Sequence, residues 1–233
     1  MVNILCFGDS NTYGYIPDGS GRYDENTRWT GRLEKILGDR FNVLEEGLCG
    51  RTTVFQDELR PGRCGSEFIS IAVESHNPLD LLVLMLGTND CKTRYGASVR
   101  TIGKGLEEVI KTAKYYGSDG MKILIISPIH LGNGVGEEGF DSEFDKHSEE
   151  TAKKLSKEYE KIARKYECGF FDAATVAKPS EIDREHMDAQ NHKIFARALS
   201  RKIKQLQYDS RKEKTCVSYL DFLPEKDVTL GII

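Results

Sequence analysis

The 233-residue sequence has no paired cysteines, no long apolar run and no basic block, and each absence narrows what the protein can be. Its six cysteines, Cys6, Cys49, Cys64, Cys91, Cys168 and Cys216, contain no C-x-x-C pair. In a chain of this length that reads as reduced thiols, not a disulfide framework, and sets the expectation of a cytoplasmic setting. The longest apolar stretch, Leu79 to Leu86, is broken by Asp80. It falls far short of the roughly 20 residues a membrane-spanning helix needs. The opening MVNILCFGDS has neither a basic n-region nor a small-residue cleavage site, so a signal peptide is not expected. Lys and Arg number 33 against 37 Asp and Glu, for a net charge of -4. Without a concentrated basic patch the chain lacks the electrostatic footprint of a nucleic-acid binder, and a small-molecule partner is expected. Only 6 prolines beside 39% hydrophobic residues exclude a low-complexity or collagenous chain and leave a globular one with a sizeable core.

Short apolar runs alternate with helical stretches. Val2–Phe7 is a run without period-2 alternation, as for a strand covered on both faces. Weaker or stronger runs follow at Asn42–Glu46, Leu79–Leu86, Met121–Ser127 and Gly169–Asp172. Helical patterns lie between them, from about Arg28 to Leu37 and over Gly65–Ser75, Ser98–Tyr116, Ser142–Glu167 and Ala189–Leu206. In the third of these, Ile102, Leu106, Val109, Ile110 and Ala113 share one face. The order implies parallel βαβ units, hence an α/β, three-layer α/β/α sandwich with a five-stranded parallel sheet. One domain is expected over 1–206. Residues 207–233 form an extension whose role as edge strand, oligomer contact or loose tail the sequence leaves open.

In open parallel sheets ligands bind beyond the carboxyl ends of the strands. The segments found there are Gly8-Asp9-Ser10-Asn11, Gly47-Leu48-Cys49-Gly50-Arg51-Thr52-Thr53, Gly87-Thr88-Asn89-Asp90 and Asp183-Arg184-Glu185-His186. Together they supply a hydroxyl, an imidazole, carboxylates, a carboxamide and backbone N–H groups, the components of acyl transfer by a serine nucleophile. Taken singly, each has an ordinary reading. Ser10 is a turn or N-cap residue, His186 a surface residue before a helix, and Gly50 a supplier of positive φ. Their joint occurrence, one candidate at each strand end, favours the functional reading. With Asp183 and His186 three residues apart, one turn can bring the carboxylate onto one ring nitrogen and leave the other for Ser10. Asp9, although adjacent to Ser10, is given a structural role, because a neighbour at a tight turn points away.

FGDS near the N-terminus, the glycine of CGRTT, GTND after the third strand and D-x-x-H near the end resemble the four blocks of the SGNH (GDSL-type) hydrolase family, over about residues 2–206. The stretches Arg28-Trp29-Thr30-Gly31 and Glu45-Glu46-Gly47-Leu48, with Arg51-Thr52-Thr53, are similar to its arylesterase/acyltransferase branch. The resemblance implies a flavodoxin-like sheet and a serine esterase. Ser10 would be the nucleophile, His186 the general base and then acid, and Asp183 the group orienting the imidazole. The oxyanion hole would come from the N–H groups of Ser10 and Gly50 and the side-chain amide of Asn89. It also implies a homo-oligomer, a small-molecule ester substrate and no metal or organic cofactor. Many members carry a glycine and then a small or apolar residue between the Asp and His of the last block. Here Arg184 and Glu185 stand there, and a carboxylate beside His186 is expected to raise the imidazole pKa.

The pocket mouth is expected from Thr12–Arg28, Val54–Cys64 and His130–Phe140, with Tyr13, Tyr15, Tyr23, Phe55 and Phe140 near it and His130 a further candidate. That mixture of rings and charges suits short acyl groups on aryl, small alkyl or sugar alcohols better than lipid chains. Carbohydrate O-acetyl deacetylation, thioester hydrolysis, a catalytically silent binding module on the same fold and a purely structural role through oligomerisation are the alternatives. Gly134–Gly139 matches G-x-G-x-x-G, but it lies beyond the fourth strand and carries two glutamates where a pyrophosphate would approach, so it reads as a loop. Cys91 is read as a bystander thiol, and His147 and His192 as helix-face residues.

Overall fold

The structure, a computed structural model, describes backbone elements through residue 220 and side chains through residue 206. The chain divides into two compact units, Met1–Ser200 and Arg201–Ile233. The first holds the sheet. Of the second, the structure describes helix as far as Leu220. The described part of the extension, through Leu220, is helix and not the edge strand that the sequence left open; what would bear on an oligomer contact or a loose tail lies outside the described residues.

Strand β1 (Val2–Gly8) is followed by a single-turn helix α1 (Ser10–Tyr13), α2 (Trp29–Leu37), β2 (Phe41–Gly47), α3 (Gly65–His76) and β3 (Leu81–Met85). Then come α4 (Val99–Tyr116), β4 (Lys122–Ser127), α5 (Lys146–Lys165), β5 (Gly169–Asp172) and α6 (Ala189–Leu220). The strands form one sheet in the order β2-β1-β3-β4-β5, and every pairing is parallel. This is the expected flavodoxin-like α/β arrangement. All five residues of β3 are buried, which is why its sequence is a continuous apolar run, whereas β2 at the sheet edge is half-buried throughout. The stripe Ile102, Leu106, Val109, Ile110 and Ala113 of α4 is fully buried.

Most element ends fall within two residues of the sequence reading, and two differ by more. Helix α5 begins at Lys146 instead of Ser142, because Asp145 caps it: the Asp145 carboxylate accepts from the Ser148 N–H at 2.8 Å while the Asp145 N–H donates to Ser148 Oγ at 3.2 Å. Helix α6 runs past Leu206 to Leu220.

The register brings the loop starts to one level. Gly8 at the end of β1 lies opposite Gly47 of β2 and Met85 of β3. The loops that carry Ser10, Gly50 and Asn89 therefore leave the sheet side by side. Helix α1 packs directly on the end of β2, where a Cβ on Gly47 would stand 2.2 Å from the Tyr13 nitrogen and 2.5 Å from the Thr12 carbonyl carbon. Both are backbone atoms and cannot swing aside. Gly47→Ala is therefore expected to cost about 1–3 kcal/mol through overpacking, read as a lower urea midpoint; an unchanged midpoint would contradict this packing.

Candidate active site

Ser10 is the first residue of α1, and the turn before it is fixed by Asp9. The Asp9 Oδ1 accepts the Asn11 N–H at 3.0 Å and caps the helix, so that oxygen holds the loop. Burial raises the Asp9 pKa to about 6, partly opposed by that N–H bond and by the nearby His186.

The structure brings Ser10, Asp183 and His186 together. His186 Nε2 lies 2.8 Å from Ser10 Oγ, and His186 Nδ1 lies 2.6 Å from Asp183 Oδ2. The other Asp183 oxygen, Oδ1, accepts the backbone N–H groups of Glu185 and His186, each at 3.0 Å. One carboxylate thus shapes the turn and fixes the ring. With Nδ1–H donated to Asp183, Nε2 is left as an acceptor for the Ser10 hydroxyl. The Tyr15 ring packs on the imidazole with 4.6 Å between centroids.

The side chain of Asn11 joins the two ends of the chain. Its Oδ1 accepts the Met187 N–H at 2.9 Å and its Nδ2 donates to the Glu185 carbonyl at 3.4 Å. Trp29 Nε1 donates to the Asn11 carbonyl at 3.0 Å from the other side. The segment is also held from outside by Arg184, at φ +60, which donates to the Gly134 carbonyl at 2.9 Å and to Glu137 at 2.8 Å. The G-x-G-x-x-G loop is therefore a structural partner of the Asp183–His186 turn, which agrees with its reading as a loop.

Ser10, Gly50 and Asn89 line one cavity of about 500 Å³. Gly50 adopts φ +83, where glycine alone is unstrained. One Asn89 Nδ2 hydrogen goes to the Arg51 carbonyl at 3.1 Å, which orients the amide. Arg51, buried beneath, donates from Nη1 to the carbonyls of Gly8, at 2.9 Å, and Glu46, and lies over the Phe7 ring at 4.0 Å. Burial lowers its pKa to about 10, which leaves it cationic at neutral pH. Asn11, Arg51 and Arg184 were given no role by the sequence reading, although each abuts a residue that was. Among the described residues no group of His, Cys, Asp and Glu is arranged to hold a metal ion.

Glu185 reaches the cavity. Its Oε1 lies 3.7 Å from His186 Nε2, and its side chain is 9% exposed. Burial opposes a charged imidazole, but Glu185 and then Asp183 outweigh it and hold the His186 pKa above its ordinary value. Glu185 is itself raised by burial, with His186 and Lys92 opposing.

Three expectations about the surroundings are corrected. Phe55, Tyr23 and Tyr13 do not line the cavity: Phe55 stacks on Tyr95, Tyr23 packs edge-on against His192, and Tyr13 lies under Arg22. His130 is not among the lining residues either. His192 is fully buried, accepts the Trp29 N–H at 3.2 Å and is driven by burial to a pKa of about 3, so it is a neutral core histidine. Cys91 is buried and bonds the Gly87 carbonyl at 3.4 Å, and burial raises its thiol pKa strongly, as expected for a bystander.

Residues 6–193 match the model of the GDSL-like lipase/acylhydrolase family. Among solved structures, the chain is similar to an aryl esterase of M. smegmatis at 30% identity and a TM-score of 0.81, covering 88% of this chain and 100% of that one. It is also similar to a carbohydrate acetylesterase family member from Sinorhizobium meliloti at 35% identity and a TM-score of 0.82, covering 88% and 98%. A further carbohydrate acetylesterase from that organism matches at 32% identity with a TM-score of 0.81, covering 88% and 100%. Among the curated proteins none matches the chain significantly.

Replacing Glu185 removes a negative charge that favours the imidazolium. Glu185→Gln is therefore expected to lower the His186 pKa, measured by NMR titration of its ring protons. A titration unchanged from the parent protein would contradict the electrostatic assignment.

Proposed function

The chain belongs to the GDSL-like lipase/acylhydrolase family and is a carboxylic ester hydrolase, and from that premise we propose that it cleaves short-chain esters through an acyl-enzyme on Ser10. The observation that carries this reading is the unbroken hydrogen-bond chain from Asp183 through His186 to Ser10 at the wall of an open cavity. In the first step Ser10 Oγ forms a bond to the ester carbonyl carbon, its proton passes to His186 Nε2, and the carbonyl π pair moves onto oxygen. The backbone N–H groups of Ser10 and Gly50 and the Asn89 amide are the donors for that oxyanion. Asp183 stabilises the imidazolium without taking its proton. Collapse breaks the ester C–O bond, and Nε2 returns the proton to the leaving alcohol oxygen. Water then repeats the sequence on the acyl-enzyme and releases the acid. An alcohol in place of water would give acyl transfer by the same route.

The cavity favours small, polar esters. Tyr15 and Phe140 offer ring faces, while Arg60, Lys92, Glu143 and Glu185 make much of the wall charged. A lipid chain would desolvate those charges without pairing them, whereas the hydroxyls of a sugar can bond them. This favours acetylated sugars and small aryl esters over long-chain lipids, and it gives carbohydrate O-acetyl removal a specific observation in its support. The proposal extends to a homo-oligomer in a reducing compartment, on the family resemblance and on the five described cysteines being unpaired thiols.

A fluorophosphonate is expected to add once, on Ser10, as read by intact mass and peptide mapping, with no adduct in Ser10→Ala. His186→Ala should slow kcat by about 10⁴-fold or more. Phenyl acetate and acetylated glucose should be substrates, with palmitoyl esters poor ones. No adduct on the folded protein would overturn the reading in favour of a binding module, and turnover confined to acetyl thioesters would replace it with a thioesterase.

A further inference from the structure

A row of alternating charges crosses the cavity wall and ends beside Gly50. Lys92 pairs with Glu143, Glu143 with Arg94, Arg94 Nη1 with Asp57 Oδ1 at 3.1 Å, and Asp57 Oδ2 with Arg60 Nε at 3.2 Å. Three cations thus share two anions. Asp57 is 1% exposed at its side chain, and although burial would raise its pKa, Arg60, the Leu59 N–H and Arg94 hold it below the ordinary carboxylate value. It is a charged, buried anchor that fixes the direction of the Arg60 head.

Arg60, anchored through Nε, lines the same cavity as Ser10, Gly50 and Asn89. Nη2 and Nη1 lie 2.7 Å and 3.2 Å from the point where a Cβ on Gly50 would project. Among the described residues neither nitrogen has a protein acceptor. Uncommitted donors on a permanent cation therefore stand beside Gly50, whose N–H is one of the proposed oxyanion donors. Glu185 and Asp183 stand beside His186, at 3.7 Å from Nε2 and 2.6 Å from Nδ1.

We infer that Arg60 is a further catalytic residue: its guanidinium edge stabilises the oxyanion that forms when Ser10 attacks the ester, adding a full positive charge beside the neutral donors of Ser10, Gly50 and Asn89. This rests on the acyl-enzyme reading of the site. No bond to Arg60 forms or breaks and no proton leaves it, because guanidinium stays charged throughout. Its benefit is confined to the tetrahedral stage, since the ground-state carbonyl oxygen carries little charge. Partial exposure of the side chain, at 41%, screens part of the effect.

The test is steady-state kinetics of Arg60→Gln and Arg60→Lys on phenyl acetate and on a monosuccinate aryl ester, with inhibition by a methyl trifluoromethyl ketone, which forms an anionic hemiketal on the serine. Arg60→Gln is expected to lower kcat about 10- to 100-fold on both esters with KM within about twofold, since an oxyanion donor is worth about 10²–10³ before screening. It should weaken the trifluoromethyl ketone by the same factor, and Arg60→Lys should recover part of both losses. A rise in KM confined to the anionic monosuccinate ester would overturn the inference and make Arg60 a substrate anchor. A loss of kcat with unchanged trifluoromethyl ketone affinity, or one accompanied by a lowered melting temperature in both variants, would overturn it in favour of a structural role. Fluorophosphonate labelling of Ser10 in the parent protein separates the two levels: labelling with unaltered variants sinks Arg60 alone, and no labelling sinks the acyl-enzyme and Arg60 with it.

Discussion

Everything at this site depends on one long-range hydrogen-bonded clamp. Ser10 and His186 are 176 residues apart in sequence, and the Asn11 side chain is what ties the backbone of the second segment to the turn that carries the first. Each bond is worth only about 1 kcal/mol net, so the clamp works because the rest of the chain has already met most of the ordering cost. The parallel register sets Gly8, Gly47 and Met85 level, Trp29 braces the Asn11 carbonyl, and Arg184 ties the His186 turn to the loop after β4. What is left for Asn11 is a short final closure, and a carboxamide, with one acceptor and two donors, suits two backbone groups of opposite kind.

Around that clamp, charge is distributed unevenly. His186 has Asp183 bonded to Nδ1 and Glu185 near Nε2, and these carboxylates, with a smaller contribution from Asp9, outweigh the cost of burial in setting its proton affinity. The row of alternating charges on the cavity wall ends at Arg60, beside Gly50. In the proposed reaction negative charge develops near Gly50, beside the Arg60 guanidinium, and positive charge on His186, beside Asp183 and Glu185. The same charges disfavour aliphatic chains, which links the proposed mechanism to the proposed preference for small polar esters.

Much of this was legible in the sequence because parallel strands buried on both faces leave unbroken apolar runs, and the residues after such runs fall on one edge. Val2–Phe7 and Leu79–Leu86 located β1 and β3, and with them Ser10 and Asn89, while D-x-x-H fits a single turn. The fate of His192 was also within reach: with Phe195, Ala196 and Leu199 it follows the i, i+3, i+4, i+7 spacing of a buried face, and all four are buried. Other features were hidden for a physical reason. The start of α5 was set by reciprocal capping between Asp145 and Ser148, a local signal overshadowed by the charged run around it. Phe55 and Tyr23 left the predicted mouth because each found an aromatic partner that sequence order does not reveal. Arg51, Arg60 and Asn11 act through geometry across loops, and nothing in their spacing announces it.

The central claim is that ester cleavage passes through a covalent acyl group on Ser10. Rapid mixing with p-nitrophenyl acetate, acid quench and peptide mass mapping tests it directly. The account predicts a burst of p-nitrophenol approaching one per active site, with the acetyl group recovered on the Ser10 peptide and cleared at the steady-state rate. Turnover with neither burst nor acetylated peptide, or an acetyl group recovered on another residue, would contradict it.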